Sequence, residues 1–313
     1  MSPFLRKTAP GPAPTPLPFM RWRWIGFALT AALLLASAVE LGWRGLNLGL
    51  DFTGGVLVQA EADAPFDSAT LRAALAGQGL DGAVVQLSDA DRTALVRART
   101  EAEQTATAVA AIREALGPEA RVLSADAVGP KVSGELFRDG AIACALALFG
   151  IAFYVWLRFE SKFGLAAFIT TMHDVALIIG MFALTGLVFD LTSIAAMLAV
   201  AGYSINDTVI IYDRIRENLA RDKTADIADV IDKSLTETLR RTLMTSGTTL
   251  ATTVALMIFG GPVLFGFAAA ISFGIVIGTF SSIFVAAPLL IHLPGRMPGR
   301  DDGGDEAAPA PAG

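Results

Sequence analysis

Long apolar runs separated by short polar joins dominate this chain, and a single mixed stretch interrupts them near the amino end. The first run extends from Ile25 to Val39 and on through Glu40 to Trp43. The others are Gly140–Leu157, Gly164–Leu187, Leu191–Tyr212, Leu243–Pro262 and Val263–Leu293. About 20 residues of helix cross the roughly 30 Å hydrocarbon core of a bilayer, and each run approaches or exceeds that length. The pattern predicts a mainly α membrane protein with six transmembrane helices. Two readings fit the first run. Ala36-Ser37-Ala38 has the small-x-small form of a signal-peptide cleavage site. Trp22, Trp24 and Trp43 bracket the run as interfacial anchors do, which favours a retained helix.

Between positions 44 and 139 the pattern shortens. Val56 to Ala60, Ala83 to Leu87, Thr93 to Ala98 and Arg121 to Val128 read as strands, with a turn at Ser88–Asp91. Ser68 to Leu80 and Glu101 to Leu116 read as helices, the first capped by Asp67 or Ser68, the second stopped by Gly117-Pro118. The order βαββαβ predicts a small α+β ferredoxin-like external domain. The chain then divides into a proline-rich tail expected to be disordered (1–20), a first span (21–43), the external domain (44–139), a five-helix bundle (140–293) and a second disordered tail (294–313). Mixed charges between Asp213 and Arg241 predict an amphipathic helix lying at the membrane surface within the connection 213–241.

Composition supports a bilayer as solvent: 53% of residues are hydrophobic and 17% charged, where soluble domains carry roughly a quarter charged. The net charge of −6 and the scattered basic residues give no nucleic-acid face. Cys144 is the sole cysteine and lies in an apolar run, so no internal disulfide forms, and no metal-ligand spacing is present. Arg158 and Lys162 occupy one join, and Arg214, Arg216, Arg221, Lys223, Lys233, Arg240 and Arg241 another; the joins at Thr185–Asp190 and Gly260-Gly261-Pro262 have no lysine or arginine. Positive charge marks the cytoplasmic side, so both termini are expected there and the external domain opposite.

Ionisable residues inside the spans are costly unless paired or hydrated. Asp207 lies 16 residues beyond Leu191, about 24 Å along the helix at about 1.5 Å per residue, in a polar stretch that includes Tyr203 and Asn206. Arg241 opens the next span from the same side, within reach if the helices are neighbours. Burial favours the neutral acid and a guanidinium the carboxylate, so a group held between them can take up and release a proton. A fixed ion pair is the competing reading. Below Arg241, Thr245, Thr248, Thr249 and Thr252 form a hydroxyl stripe that fits either a hydrated proton path or close helix packing. His173 and Asp174, near mid-membrane, fit a relay or a packed polar pair equally. Glu40, Glu160 and Asp190 sit at membrane boundaries in reach of water. Ala270, Gly274, Gly278 and Ser282 read as a packing face.

Several segments, in order, resemble the SecF family. They are Gly49-Leu50-Asp51-Phe52-Thr53-Gly54-Gly55, then Val128-Gly129-Pro130 with Gly134-Glu135-Leu136, Leu157-Arg158-Phe159-Glu160 and His173-Asp174. Tyr203 to Thr208 continuing to Asp213-Arg214-Ile215-Arg216-Glu217-Asn218 is the most specific, and Ser234 to Thr242, Thr245-Ser246 and Gly260-Gly261 complete the set. The resemblance spans about Arg44 to Leu290. It implies half of an RND-type transporter, with SecD supplying the other half, and an accessory role to the SecYEG channel in bacterial protein export. It also implies a place in the bacterial inner membrane, in contact with lipid and with unfolded preprotein. Protons would be the coupling ion, with no other cofactor and no enzymatic step. It carries the family's membrane aspartate and arginine onto Asp207 and Arg241, although Arg240 adjoins the latter. Asp51, Gly54 and Gly55 are expected to have a structural backbone role, glycine tolerating positive φ. Three rivals remain: an RND-type efflux subunit, an intramembrane aspartyl protease using Asp174 with Asp207, and a purely structural subunit.

Overall fold

A computed structural model describes residues 15–88, 91–100 and 104–294. Among the described residues, six helical segments are long and apolar enough to cross a membrane: Phe19–Trp43, Lys131–Arg158, Ser161–Thr185, Leu191–Arg221, Ile227–Phe259 and Val263–His292. In chain order the helices are α1 (Arg23–Trp43), a single-turn α2 (Leu50–Thr53), α3 (Ser68–Gly77), α4 (Thr105–Leu116), α5 (Pro130–Arg158), α6 (Ser161–Thr185), α7 (Leu191–Arg221), α8 (Ile227–Phe259), α9 (Gly261–Ser281) and α10 (Ala287–His292). A π-helical segment, Ser282–Ala286, joins the last two into one continuous span.

The external domain has the expected order. Strands β1 (Gly55–Glu61), β2 (Val84–Ser88), β3 (Thr93–Ala98) and β4 (Arg121–Val128) form an antiparallel sheet in the order β2-β3-β1-β4. Successive strand residues face opposite sides: Val56, Val58, Ala60, Ala94, Val96 and Ala98 pack on Leu71 and Leu75 of α3 and Ile112 and Leu116 of α4. The other sheet face turns toward the bundle across a cavity of about 1130 Å³ lined in part by Leu57, Arg97, Asp190 and Phe265. Helix α3 stops at Gly77, short of the expected Leu80, because Gly79 takes φ +80° and turns the chain. The expected turn at 88–91 and the start of the second helix at 101 fall partly outside the described residues.

Three expectations are corrected. Residues 15–20, assigned to the amino-terminal tail, are ordered: Leu17 N donates to Thr236 Oγ1 and Met20 N to Asp232 Oδ1, and Met20 is buried. The rest of that tail and the carboxyl-terminal one from 295 lie outside the described residues. No separate surface helix occupies 213–241. Instead α7 runs on to Arg221 and α8 starts at Ile227, so the two spans extend past the apolar limits and bind one another. Third, α5 begins at Pro130, ten residues before the predicted span; proline suits the first helical turn, where its missing N–H is not needed.

Helix α1 is built into the bundle along α6. A Cβ on Gly180 would fall 2.0 Å from Ser37 Oγ, so only glycine permits this approach. In hydrocarbon, packing rather than water exclusion joins helices. Gly180→Ala is therefore expected to separate α1 from α6 and lower the melting temperature of the detergent-solubilised protein by several degrees; an unchanged melting curve contradicts that packing. Trp22, Trp24, Trp43, Phe149 and Trp156 are exposed on the bundle, a lipid-facing arrangement.

Candidate functional site

The polar stretch of α7 presents two working faces. On one, Asp207 is buried, 2% exposed, and its Oδ2 has no hydrogen-bond partner. The groups acting on it are Arg241 and Ser246, both from α8. Tyr203 OH donates to Ser246 Oγ at 3.3 Å, and Ser246 Oγ pairs with Thr279 Oγ1 of α9 at 2.7 Å. The structure thus brings Asp207, Tyr203 and Arg241 to one interface. It places no ion pair there: Arg241 is exposed and stands off from the acid. Asn206 is exposed and adds nothing within the chain.

On the second face, Ser204, Thr208 and Tyr212 recur at four-residue spacing. Thr208 Oγ1 pairs with Ser282 Oγ at 3.0 Å, and Tyr212 OH donates to Ala286 O at 3.1 Å. These two residues bracket the π-helical segment at both ends. A π turn disturbs the regular backbone ladder, and the fully buried Tyr212 hydroxyl caps one of its carbonyls. Gly274 and Gly278 let α9 approach closely: a Cβ on them would lie 2.5 Å from Val200 Cγ1 and 3.0 Å from Ser204 Cβ.

His173 and Asp174 do not reach the Asp207 interface directly. Asp174, wholly buried, pairs with His173 Nδ1 at 2.8 Å and accepts from Ser204 Oγ at 2.5 Å and from Ser281 Oγ at 2.9 Å. The hydroxyls of the threonine stripe bond within α8. Thr245 donates to Arg241 O and Thr242 O, Thr248 to Met244 O, and Thr252 to Thr249 O, so these hydroxyls serve their own helix. Their face is exposed in the single chain.

The glycine-rich element after α1 forms a joint between the external sheet and the start of α7. Gly54 and Gly55 take φ +68° and +118°. Asp51 Oδ2 accepts from Leu191 N at 3.0 Å, so it caps the start of the helix that carries Asp207. Gly49 N donates to Phe189 O at 2.7 Å, and Arg97 of β3 donates to Leu48 O and Asn47 Oδ1. Burial, with Arg99 adding repulsion, lowers the Arg97 pKa from its ordinary value. At the basic end, Arg214 and Asn218 both donate to Glu237 Oε2, at 2.6 and 2.9 Å, and tie α7 to α8.

Two family models match the chain: the C-terminal region of the protein export membrane proteins SecD/SecF over residues 108–296, and the SecD/SecF GG motif over residues 44–65. The chain belongs to the SecD/SecF family. It is 44% identical over 276 residues to protein translocase subunit SecF of Desulfurispirillum indicum, covering 85% of this chain and 88% of that one. It is 45% identical to SecF of Cereibacter sphaeroides, covering 86% and 87%. A SecDF protein of Brucella abortus is 41% identical over 88% of this chain but only 36% of its own length. The crystal structure of SecDF from Thermus thermophilus superposes with a TM-score of 0.81 at 36% identity, over 90% of this chain and 39% of that one. The family's GG motif contains the joint at Asp51, Gly54 and Gly55, and its C-terminal region contains Asp174, Asp207 and Arg241. Sequence reasoning met Ser204 and Ser246 only inside the resemblance segments, without a role, and did not single out Ser281 or Arg97. The serines had a signal, hydroxyls within apolar runs; Arg97 had none beyond its place on a strand.

Proposed function

We propose that this chain is an accessory subunit of bacterial Sec protein export, that it works beside SecD, and that it draws on the proton gradient through Asp207. Its relatives are named as translocase subunits, and the SecDF relatives carry this region inside a longer chain. Those names set the efflux reading aside. The exposed face of α8 bearing Arg241, Thr245, Thr248 and Thr252, with Gly202 and Asn206 of α7 alongside, is the face assigned to SecD. SecYEG and the unfolded preprotein are the further partners. The basic helix ends support a reading in which both termini lie in the cytoplasm and the chain sits in the inner membrane. The reading needs protons alone as coupling ion and assigns the chain no enzymatic step.

One observation carries this reading: a membrane-embedded carboxyl with an unpartnered, buried oxygen, facing an arginine that is not bound to it. A permanent structural pair would be closed. Here a neutral Asp207 can rest against Ser246, and loss of its proton creates a charge that Arg241 answers by moving inward along α8. The shift changes how α7 and α8 pack, and α7 is capped by Asp51 at the joint with the external domain. The test uses proteoliposomes holding the channel, SecD and this chain. An imposed proton gradient is expected to raise completed translocation several-fold, and a protonophore to abolish the gain. Equal stimulation in vesicles lacking this chain contradicts the reading.

A further inference from the structure

Asp174 is more deeply enclosed than Asp207, and it serves a different set of helices. Its carboxyl on α6 receives Ser204 Oγ of α7 and Ser281 Oγ of α9 on one oxygen, and His173 Nδ1 on the other. His173 Nε2 is buried without a partner. A protonated imidazolium would leave a charged N–H unmatched there, a costly arrangement, so the neutral ring with its hydrogen on Nδ1 fits the site. Asp174 then has three neutral donors and no full positive charge to balance it.

We propose that Asp174 is a second proton-accepting group of the bundle, whose ionised form clamps α6 to α7 and α9. The donor bookkeeping supports a reversible change. Ser281 Oγ lies 2.9 Å from the carboxylate and 3.2 Å from Gly278 O. When Asp174 is ionised, Ser281 gives its hydrogen to the acid. When Asp174 takes a proton, the acid donates to Ser281 and Ser281 turns its own hydrogen to Gly278 O. Neither the carboxyl nor Ser281 is stranded in either state, which a fixed structural carboxylate does not require. The clamp lies at a close approach of α7 and α9, where a Cβ on Gly278 would fall 3.0 Å from Ser204 Cβ. Directly beyond Ser281 the span enters the π-helical segment gripped by Thr208 and Tyr212.

Among the described residues, the elements packed on α6 bring few titratable groups to this level. Helix α7 brings Tyr203 and Asp207; α9 and the π segment bring only hydroxyls. Arg23 and Glu40 of α1, Arg158 of α5 and His292 of α10 lie at helix ends, and Cys144 and Tyr154 lie along α5. Asp207 is three residues beyond Ser204, one turn along the same helix, so a charge on either acid disfavours a charge on the other. The role rests on the proton-driven reading above, with Asp174 acting as a positioning residue for α7 while Asp207 faces α8.

Infrared difference spectroscopy of the full chain with SecD in lipid tests this by titrating the protonated-carboxyl C=O band. With Asp207→Asn as background, a band that grows on acidification and vanishes on adding Asp174→Asn is expected. Identical titrations of the single and double variants overturn the proposal. Ser281→Ala, which leaves the acid in place, is expected to enlarge the protonated band at a given pH by removing one donor to the carboxylate; an unchanged band also overturns it. Because Asp207 is absent throughout, this result stands or falls separately from whether Asp207 drives export.

Discussion

Asp207→Asn is expected to leave the chain inserted and bound to its partner while reducing proton-stimulated export at least about tenfold. Asparagine keeps the shape of the side chain and can still bond Ser246, but it cannot carry a proton. The substitution removes a buried carboxyl whose Oδ2 has no partner, so the packing around α7 loses no hydrogen bond at that oxygen. Residues paired in a fixed bridge behave otherwise: breaking a buried pair costs about 3–5 kcal/mol, because it strands the remaining charge. Arg241 is already exposed and strands nothing. Translocation measured with and without a proton gradient separates the outcomes. Normal gradient stimulation with asparagine at 207 rejects Asp207 as the proton carrier. A destabilised, poorly assembled variant favours the structural-subunit reading instead.

Gly55→Ala carries the second large effect, in the external domain. Gly55 opens the inner strand β1 at φ +118°, and a Cβ there would fall 2.3 Å from Ala98 O on β3. A side chain in such backbone costs about 1–3 kcal/mol, and the contact with a backbone carbonyl adds to that. Small domains have only about 5–15 kcal/mol in hand. The substitution is expected to loosen the β1–β3 edge and the adjoining joint, seen as rapid proteolysis of the external domain and faster hydrogen exchange at Val56 and Val58. Gly77→Ala is the matched control. Gly77 ends α3 with open space around its Cβ position, and alanine there favours the helix by about 0.5–1 kcal/mol. Equal protease resistance of the two variants contradicts the role given to Gly55.

The parts of the fold legible in the sequence are those set by periodicity. Six apolar runs gave six spans, and alternation in β1 and β3, with the turn residues between strands, gave the order of the external domain. Ends were harder. The apolar run of the fourth span stops at Tyr212, yet α7 continues through nine further residues to Arg221, because Ile215 and Leu219 pack with Val230, Ile231 and Leu235 of α8 while Arg214 and Asn218 find Glu237. Hydropathy records where lipid ends and is silent on where a helix ends. The site shows the same division. Asp207 was visible because a carboxylate among apolar residues is expensive wherever it points. The bonds of Asp174 were not, since Ser204 and Ser281 are distant in sequence and one serine in a span looks like any other. The capping of α7 by Asp51 joins residues 140 positions apart, a relation that local pattern does not encode.

Proton movement through the protein itself tests the central claim most directly. Liposomes containing this chain and SecD, loaded with a pH-sensitive dye and given an acid pulse outside, are expected to acidify faster than empty ones. Vesicles with Asp207→Asn are expected to match the empty ones. Equal proton entry through the wild-type and Asp207→Asn proteins would contradict the account.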